Sequence, residues 1–353
     1  MPAHLPTVVI CLLLLSACDS HESNLESGAR DQILHLGNGD EPQDLDPQTV
    51  TGLPENAITM ALFEGLVSKH PADLGIQPRV AERWTVSADQ RSYTFHIRPD
   101  ARWSNGEPLT AADFVWSWQR ALMPALGNPY AYMFYSIRNA GDFHHGRVTD
   151  FGQVGIHAPD AHTLVVELKE PVPYFLQLLD HHSFYPVHPG TIARFGGIAE
   201  RGTLWTRPGN LVGNGAFVLD QWQLNRILTV KRNRFYWDAK NVRLNGIHFY
   251  PIAVASTEER MYRAGQLHVT FRVPTEKIAV YRTRDPVSLR ITPYLGTYFY
   301  RLNVSVPPLN DARVRRALTL ALDRKQIVEH ITLGGQIPAA SLTPPGTAVH
   351  PFF

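Results

Sequence analysis

The sequence has little cysteine: Cys11 and Cys18 are the only two in 353 residues, and both lie near the amino terminus. Removal of an N-terminal signal that ends before Cys18 would leave a body without a pair of thiols. The body could then hold neither a disulfide framework nor a cysteine-based metal site. We therefore expect a fold that packing alone stabilises.

The sequence also lacks an excess of charge of either sign. Its formal net charge is +1 and its isoelectric point about 7.9, so no strong field argues for a nucleic-acid partner. Charged residues make up 18% and hydrophobic residues 44%, which is typical of a packed globular protein and not of a disordered chain. A length of 353 residues predicts two or more domains.

The apolar run near the amino terminus has eight residues, which is too short to cross a bilayer. Residues 8–15, VVICLLLL, suit the apolar part of a signal peptide, and the following LSAC resembles a bacterial lipobox. We predict a signal peptide at residues 1–17, lipidation of Cys18, and a polar tether at residues 18–31. The alternative is an ordinary secretory signal in which Cys18 is incidental. No Lys or Arg precedes the apolar run, which fits neither signal well.

Catalytic signatures are missing too. The sequence contains no G-x-S-x-G, H-E-x-x-H or G-K-[ST] motif. Asp44 and Asp46 flank Pro47 in a predicted turn, where carboxylates commonly accept from backbone N–H groups. We therefore expect no enzyme activity, no catalytic residue and no cofactor.

Two pairs of adjacent histidines raise the question of a metal. Neighbouring residues point to opposite faces of a strand, or about 100° apart on a helix, so a pair cannot chelate easily. We expect no metal site and interpret these residues as surface or capping histidines: His144, His145, His181 and His182.

Local patterns predict several elements. Tyr93, Phe95 and Ile97 alternate with polar residues and predict one face of a strand. Thr110 and Asp113 form a capping-box pattern that predicts the start of a helix. Residues 216–223 and 227–232 predict a β-hairpin, and residues 310–331 predict two consecutive helices, the second starting at Asp323.

Ten segments, taken together and in order, resemble the bacterial extracellular solute-binding proteins of family 5, the peptide and nickel class. They run from about residue 39 to the end of the chain. The segments are EPQDLDPQTVTGLPENAI, ALFEGLVS, RVAERW, YTFHIRPDARWSNGEPLTAADFVWSWQRAL, NPYAYM, EPVPYFLQLL, NLVGNGAFVLDQW, RNRFYWD, PYLGTYFYRLNVSVPPLNDARVRRAL and LDRKQIV.

The resemblance implies an α/β fold of the type II periplasmic-binding-protein kind, with two lobes and an additional accessory α/β domain. It implies a discontinuous first lobe at residues 32–63 and 189–295, an accessory domain at residues 64–188 and the start of a second lobe at residues 296–353. Members of the family are longer, so the resemblance also implies C-terminal truncation and an incomplete second lobe. Within the accessory domain it implies that Trp103, Trp116 and Trp118 are core residues and do not line a binding site.

The function that the resemblance implies is binding of oligopeptides through their backbone, for delivery to the permease and ATPase of an ABC importer. We expect a monomer in the periplasmic space, held to the membrane by its lipid. The motifs leave open another ligand, such as a murein peptide, a nickel chelate or haem. They also leave open a truncated remnant that acts as a surface or scaffold protein without transport.

The resemblance assigns ligand contacts position by position. Residues 51–53 match the stretch that pairs with the ligand backbone, and Tyr130 matches an aromatic that lines the pocket. Four further residues match the crossover into the second lobe. The expected ligand-binding residues are thus Thr51, Gly52, Leu53, Tyr130, Tyr294, Thr297, Tyr298 and Phe299.

Overall fold

The computed structural model describes residues 22–345. The chain divides into two compact units, one ending at Phe271 and the other starting at Arg272. The predicted signal peptide, the lipobox and Cys18 lie outside the described residues. Within residues 22–345 no helix has both the length and the apolar character needed to cross a membrane.

The first unit contains ten strands and seven α-helices within its described residues. In chain order they are α1 (Asn24–Asp31), β1 (Ile33–Gly37), α2 (Leu53–Leu62), β2 (Val67–Lys69), β3 (Ile76–Pro78), β4 (Ala81–Val86), β5 (Ser92–Ile97), α3 (Ala111–Leu122), α4 (Ala140–His144), β6 (Ile156–Asp160), β7 (Thr163–Glu167), α5 (Phe175–Leu178), α6 (Pro189–Phe195), β8 (Phe217–Gln223), β9 (Ile227–Arg232), β10 (Gly246–Tyr250) and α7 (Ala255–Arg263). Short 3-10 helices connect them at Pro124–Leu126, Ala131–Ser136, Phe151–Gln153, His182–Phe184, Leu204–Thr206 and Ala239–Asn241.

One four-stranded sheet has the order β1-β10-β9-β8, in which β1 runs parallel to β10 and the other pairs are antiparallel. Its strands β8 and β9 form the predicted hairpin, whose turn contains Asn225 at φ 56°. Leu228, Val230 and Phe249 point to one face and are buried with α2. This core consists of residues from 45–63 and 185–249, so it joins segments that are far apart in sequence.

A second four-stranded sheet is antiparallel, with the order β4-β5-β7-β6. Tyr93, Phe95 and Ile97 are buried on one face of β5, as their alternation predicts. The core of this sheet is built from residues 66–184, and α3 covers it. Strands β2 and β3 pair separately as a two-stranded ribbon.

Helix α3 begins with the predicted capping box, in which the Thr110 and Asp113 side chains each bond to the other residue's backbone. Trp118 is fully buried, and its indole N–H donates to the Phe184 carbonyl at 2.9 Å. Trp103 is also buried. The prediction is wrong for Trp116, which is only half-buried and packs against the core of the first sheet. The tryptophan-rich stretch is therefore mainly core, and the indole N–H of Trp118 has the partner that burial requires.

The predicted tether at residues 18–31 is wrong for its second half, because residues 24–31 form α1. Ser23 and Glu26 make a capping box, a signal that the polar composition of the segment concealed. Residues far from the helix in the sequence also hold it by hydrogen bonds. The Leu25 N–H donates to the Gly265 carbonyl at 2.9 Å, and the Asn245 amide donates to the Asp31 carbonyl at 2.9 Å.

The second unit contains α8 (Thr275–Arg284), α9 (Ala312–Ala321), α10 (Arg324–Ile327) and a π-helical turn at Val328–Thr332. Asp311 caps α9 by accepting from the Arg313 N–H, and Asp323 caps α10 by accepting from the Gln326 N–H. The two helices predicted between residues 310 and 331 are thereby confirmed. Residues 289–303 have no regular structure.

Replacing Trp118 by alanine tests the role of the tryptophan core. We expect Trp118→Ala to lower the free energy of unfolding by about 3–5 kcal/mol, because it leaves a cavity and removes the donor to Phe184. Tyr132→Ala is the matched control, since Tyr132 is 60% exposed and its loss should cost less than about 0.5 kcal/mol. Urea unfolding, monitored by circular dichroism, measures the free energy of unfolding of both variants. Equal losses of stability would contradict the assignment of Trp118 to the core.

Candidate functional site

A pocket of about 490 Å³ lies at the start of α2, in the first unit. Thr51 and Gly52, two of the predicted ligand-binding residues, line it, and the third, Leu53, follows directly with a 55% exposed side chain. The complete lining consists of Asp40, Glu41, Gln43, Asp44, Thr49, Val50, Thr51, Gly52, Pro54, Glu55, Arg201 and Gly202.

Gly52 is the N-cap residue of α2 and has no side chain with which to cap the helix. A Cβ at this position would lie 1.9 Å from Glu55 Oε2, so only glycine allows the carboxylate to fold back over the helix start. Glu55 is buried, and its other oxygen accepts from the Gln43 N–H at 2.9 Å. Gly52 and Glu55 together fix this end of the pocket.

The pocket is rich in carboxylates, and several of them are held by donors from distant segments. Glu41 accepts from the Trp222 indole N–H at 2.6 Å and from the Asn225 N–H at 2.9 Å. Asp44 accepts from the Thr206 hydroxyl at 2.6 Å and from the N–H of Leu45 at 2.8 Å. These bonds support the predicted role of Asp44 as an acceptor for backbone and side-chain donors. They also fix the negative charge that lines the pocket.

A buried ion pair, which the sequence did not predict, holds the segment that leads into the pocket. Arg120, near the end of α3, donates to both carboxylate oxygens of Asp46, at 2.6 and 3.2 Å. It also donates to the Gln48 side-chain oxygen at 2.7 Å and to the Ile198 carbonyl at 2.8 Å. Both Arg120 and Asp46 are almost completely buried. Asp46 also accepts from the Gln48 N–H, as predicted, but its pairing with Arg120 links positions 74 residues apart and leaves no local sequence signal.

Tyr130 is linked to the same segment through two histidines. Its ring packs against the rings of His181 and His182, with centroids 4.4 and 5.5 Å apart. His182 Nδ1 donates to the Pro47 carbonyl at 2.5 Å, which fixes the tautomer because a carbonyl can only accept. The structure thus connects Tyr130, through His182, to residues 46–51, which lead into the pocket.

The prediction of surface or capping histidines is wrong for His182, which is buried, because its ring packs beneath Tyr130 and bonds to Pro47. His181 does cap, by accepting from the Ser183 N–H. Burial lowers the pKa of His182, and burial together with the neighbouring His182 and Lys69 lowers the pKa of His181 to about 4. Both rings are therefore neutral at pH 7.

The other four predicted residues belong to the second unit. Tyr294 and Tyr298 are 78% and 86% exposed, Phe299 is also exposed, and Thr297 is half-buried. They lie in the irregular stretch at residues 289–303, where the rings of Tyr298 and Tyr300 meet edge to face at 5.9 Å. Their side chains are accessible, and their role in ligand binding stays a prediction.

Between residues 22 and 345 no group of three or more His, Cys, Asp or Glu side chains is placed to hold a metal ion. The predicted lipidation residue, Cys18, lies outside the described residues.

Comparison with known proteins gives consistent matches. A family model described as bacterial extracellular solute-binding proteins, family 5 Middle, matches residues 75–352. The periplasmic oligopeptide-binding protein OppA of Salmonella typhimurium is 40% identical over 350 residues, which cover 96% of this chain and 62% of that protein. The periplasmic murein peptide-binding protein MppA of Escherichia coli is 38% identical and is covered to 64%.

Solved structures agree. The murein tripeptide binding protein MppA of Escherichia coli superposes with a TM-score of 0.85 at 38% identity, covering 90% of this chain and 61% of that chain. Haemophilus influenzae OppA, in complex with the peptide RPPGFSPFR, superposes with a TM-score of 0.82 at 36% identity, covering 89% and 60%. The chain thus spans about 60% of the length of these relatives.

Breaking the buried ion pair tests its contribution. We expect Arg120→Met to lower the free energy of unfolding by about 3–5 kcal/mol, because Asp46 would remain buried without a counter-charge. The double variant Arg120→Met/Asp46→Leu should recover part of that loss, since it removes both charges. Urea unfolding of the three proteins measures this.

The matched control is Arg138→Met. Arg138 pairs with Glu167, but both side chains are about two-fifths exposed, so this change should cost at most about 1 kcal/mol. A double variant no more stable than Arg120→Met, or a control as destabilised, would contradict the interpretation.

Proposed function

Because the chain belongs to family 5 of the bacterial extracellular solute-binding proteins, we propose that it is an extracytoplasmic lipoprotein that binds oligopeptides for an ABC importer. It binds a peptide mainly through the peptide backbone and delivers it to a membrane permease driven by an ATPase. Membership also confirms the predicted fold class, the α/β fold of type II periplasmic-binding proteins.

The observation that carries the proposal is the pocket at Thr51 and Gly52, in a chain whose relatives are named as peptide-binding proteins. In the first turn of a helix the N–H groups have no partner within the helix, and no side chain caps α2. Pro54 has no N–H, so Leu53 and Glu55 provide the donors at this helix start. These groups can donate to the carbonyls of an extended peptide, a mode of recognition that is independent of the peptide's sequence. Roomy surroundings then tolerate different side chains.

The predicted domain organisation belongs to the proposal. Residues 32–63 and 189–295 form the first lobe, residues 64–188 the accessory domain, and residues 296–353 the start of the second lobe. Two separate cores support the first part of this division: one uses residues 66–184, and the other uses residues 45–63 and 185–249. In this proposal Tyr130 contacts the peptide outside the pocket, from the accessory domain, and the residues Tyr294, Thr297, Tyr298 and Phe299 contact it from the crossover.

Peptide binding is tested with the chain itself by isothermal titration calorimetry, using trialanine, triserine and trialanine N-methylated at its central amide. We expect trialanine and triserine, which carry the same charge, to differ in Kd by less than about tenfold, or 1.4 kcal/mol, because the backbone carries the recognition. N-methylation should weaken binding by more than that factor, since it removes a backbone donor. Affinity that follows the side chains instead would contradict backbone recognition.

The variant Gly52→Ala tests whether the peptide binds in the pocket at the start of α2. Gly52→Ala would push the Glu55 carboxylate away, because the new Cβ would lie 1.9 Å from its oxygen, and trialanine binding should weaken by at least about tenfold. Gly197→Ala is the control, since no atom lies within 4 Å of the Cβ it would add. Unchanged binding by Gly52→Ala would place the peptide elsewhere. No binding of any peptide to the parent chain would refute the proposed function and favour a non-transporting remnant.

The lipid anchor has its own test. We expect Cys18→Ser to move the protein from the membrane fraction to the soluble fraction, because acyl chains on Cys18 contribute about 0.8 kcal/mol of anchoring for each buried methylene. Cys11→Ser is the matched control: Cys11 lies within the removed signal, so this change should leave the protein in the membrane fraction. Cell fractionation with immunoblotting measures both, and an unchanged distribution of Cys18→Ser would contradict the anchor.

A further inference from the structure

Four carboxylate side chains line the pocket at the start of α2, together with one guanidinium. The carboxylates belong to Asp40, Glu41, Asp44 and Glu55, and the guanidinium to Arg201. The ion pairs in the part of the chain that the structure describes all use other acids. No cation of the fold therefore neutralises the four carboxylates of this pocket within residues 22–345.

Neutral donors hold two of these carboxylates in place. Glu41 accepts from an indole and a backbone N–H, and Asp44 accepts from a hydroxyl and a backbone N–H. Such donors fix the position of a carboxylate and leave its charge. Asp46, which lies close to the lining in sequence, is different because it pairs with Arg120 at 2.6 Å. The fold thus supplies a cation to Asp46 and none to the acids of the pocket.

Three of the pocket carboxylates have an oxygen that accepts no hydrogen bond from the described residues. Both bonds to Asp44 go to Oδ1, and the bond to Glu55 goes to Oε1. Asp40 is exposed, and neither of its oxygens has a donor. Glu55 is only 5% exposed and still lines the pocket, with Oε2 next to Gly52. The nearly buried Glu55 therefore presents a free oxygen to whatever enters.

A nearly buried carboxylate oxygen needs a donor, which either water or a ligand can supply. A cationic donor suits it best, because a charge-assisted bond is about twice as strong as a neutral one. The chemistry of Glu55 thus favours a ligand group that carries both N–H donors and positive charge.

The start of α2 acts in the opposite direction. The free N–H groups of a helix start are equivalent to roughly +0.5 charge, which favours an anion. The guanidinium of Arg201 adds one positive charge. Together these are smaller than the negative charge of the four carboxylates, so the pocket as a whole attracts cations.

We propose that this pocket takes the basic side chain of a bound peptide, lysine or arginine, and that Glu55 and Asp40 determine the preference. The inference rests on the proposed function, since it concerns which peptides bind. The N–H groups of the basic side chain donate to Glu55 Oε2 and Asp44 Oδ2. A pocket of about 490 Å³ also leaves room for water around the cation. The peptide backbone then provides affinity for any peptide, and the carboxylates provide selectivity for a basic one.

Calorimetry on the full chain with six tripeptides tests the preference. Each peptide is trialanine in which the first, second or third residue is replaced by lysine or by norleucine, which has the same carbon stem without the ammonium group. All six have the same termini, so only the side-chain charge differs within a pair. We expect lysine to bind at least about tenfold more tightly than norleucine at one position. Raising the ionic strength from about 0.01 M to about 1 M should reduce this advantage, because salt screens the carboxylates.

Two variants assign the preference to this pocket. Glu55→Gln keeps the oxygen that accepts from Gln43 and removes the charge, so the advantage of lysine should fall about tenfold. Asp40→Asn changes an exposed side chain and should reduce the advantage about two- to fivefold. Asp100→Asn is the matched control, since it removes the same charge from an exposed residue outside the lining and should leave the advantage unchanged.

An advantage of lysine below about tenfold at all three positions would overturn the inference and leave the proposed function intact. So would an advantage that both variants leave unchanged, or one that Asp100→Asn reduces equally. If Glu55→Gln does not fold, Asp40→Asn decides, because its side chain is exposed. If neither trialanine nor any of the six peptides binds, both the proposed function and this inference are refuted.

Discussion

The buried contact between Arg120 and Asp46 is the constraint on which the candidate site depends. The stretch from Asp46 to Thr51 has no regular structure, so no ladder of backbone bonds fixes its path. A guanidinium held by two carboxylate oxygens, an amide oxygen and a carbonyl defines one geometry, because any displacement would leave a buried donor unpaired. Burial of such a pair stabilises little in itself, and what it provides is a single defined arrangement.

The pocket follows from that arrangement and from bonds that cross long stretches of sequence. Glu41 is fixed by Trp222 and Asn225, more than 180 residues later, and Asp44 by Thr206, 162 residues later. Glu41 and Asp44 each hold distant segments of the chain together, and each also contributes negative charge to the pocket lining. Removing one of them would alter the position of a chain segment as well as a charge, so the charge pattern of the pocket cannot vary independently of its shape.

Sequence reasoning succeeded where a feature depends on neighbours in the chain. The hairpin at residues 217–232, the capping box at Thr110 and the buried face of β5 all follow from short-range patterns. The ion pair of Arg120 could not be predicted, because arginine is ordinarily exposed and its partner is 74 residues away. Helix α1 was missed for a different reason: Ser23 and Glu26 carried a local signal, but the polar composition around them outweighed it.

The accessory domain contributes to the site without lining the pocket. Trp103 and Trp118 are buried in its own core, whereas Trp116 packs against the core of the other sheet. Its links to residues 46–51 include Arg120, which holds Asp46, the Ser117 carbonyl, which accepts from the Gln48 amide at 2.8 Å, and His182, which holds the Pro47 carbonyl beneath Tyr130. Arg120 acts on the side chains of Asp46 and Gln48, and His182 acts on the main chain at Pro47, all within the five residues before Thr51. Trp118 packs α3 firmly into the core of the accessory domain. The position of residues 46–51 therefore depends on that core. A substitution in the core of the accessory domain can therefore alter the shape of the pocket without contacting a bound ligand. The accessory domain thus stabilises the position of this part of the site.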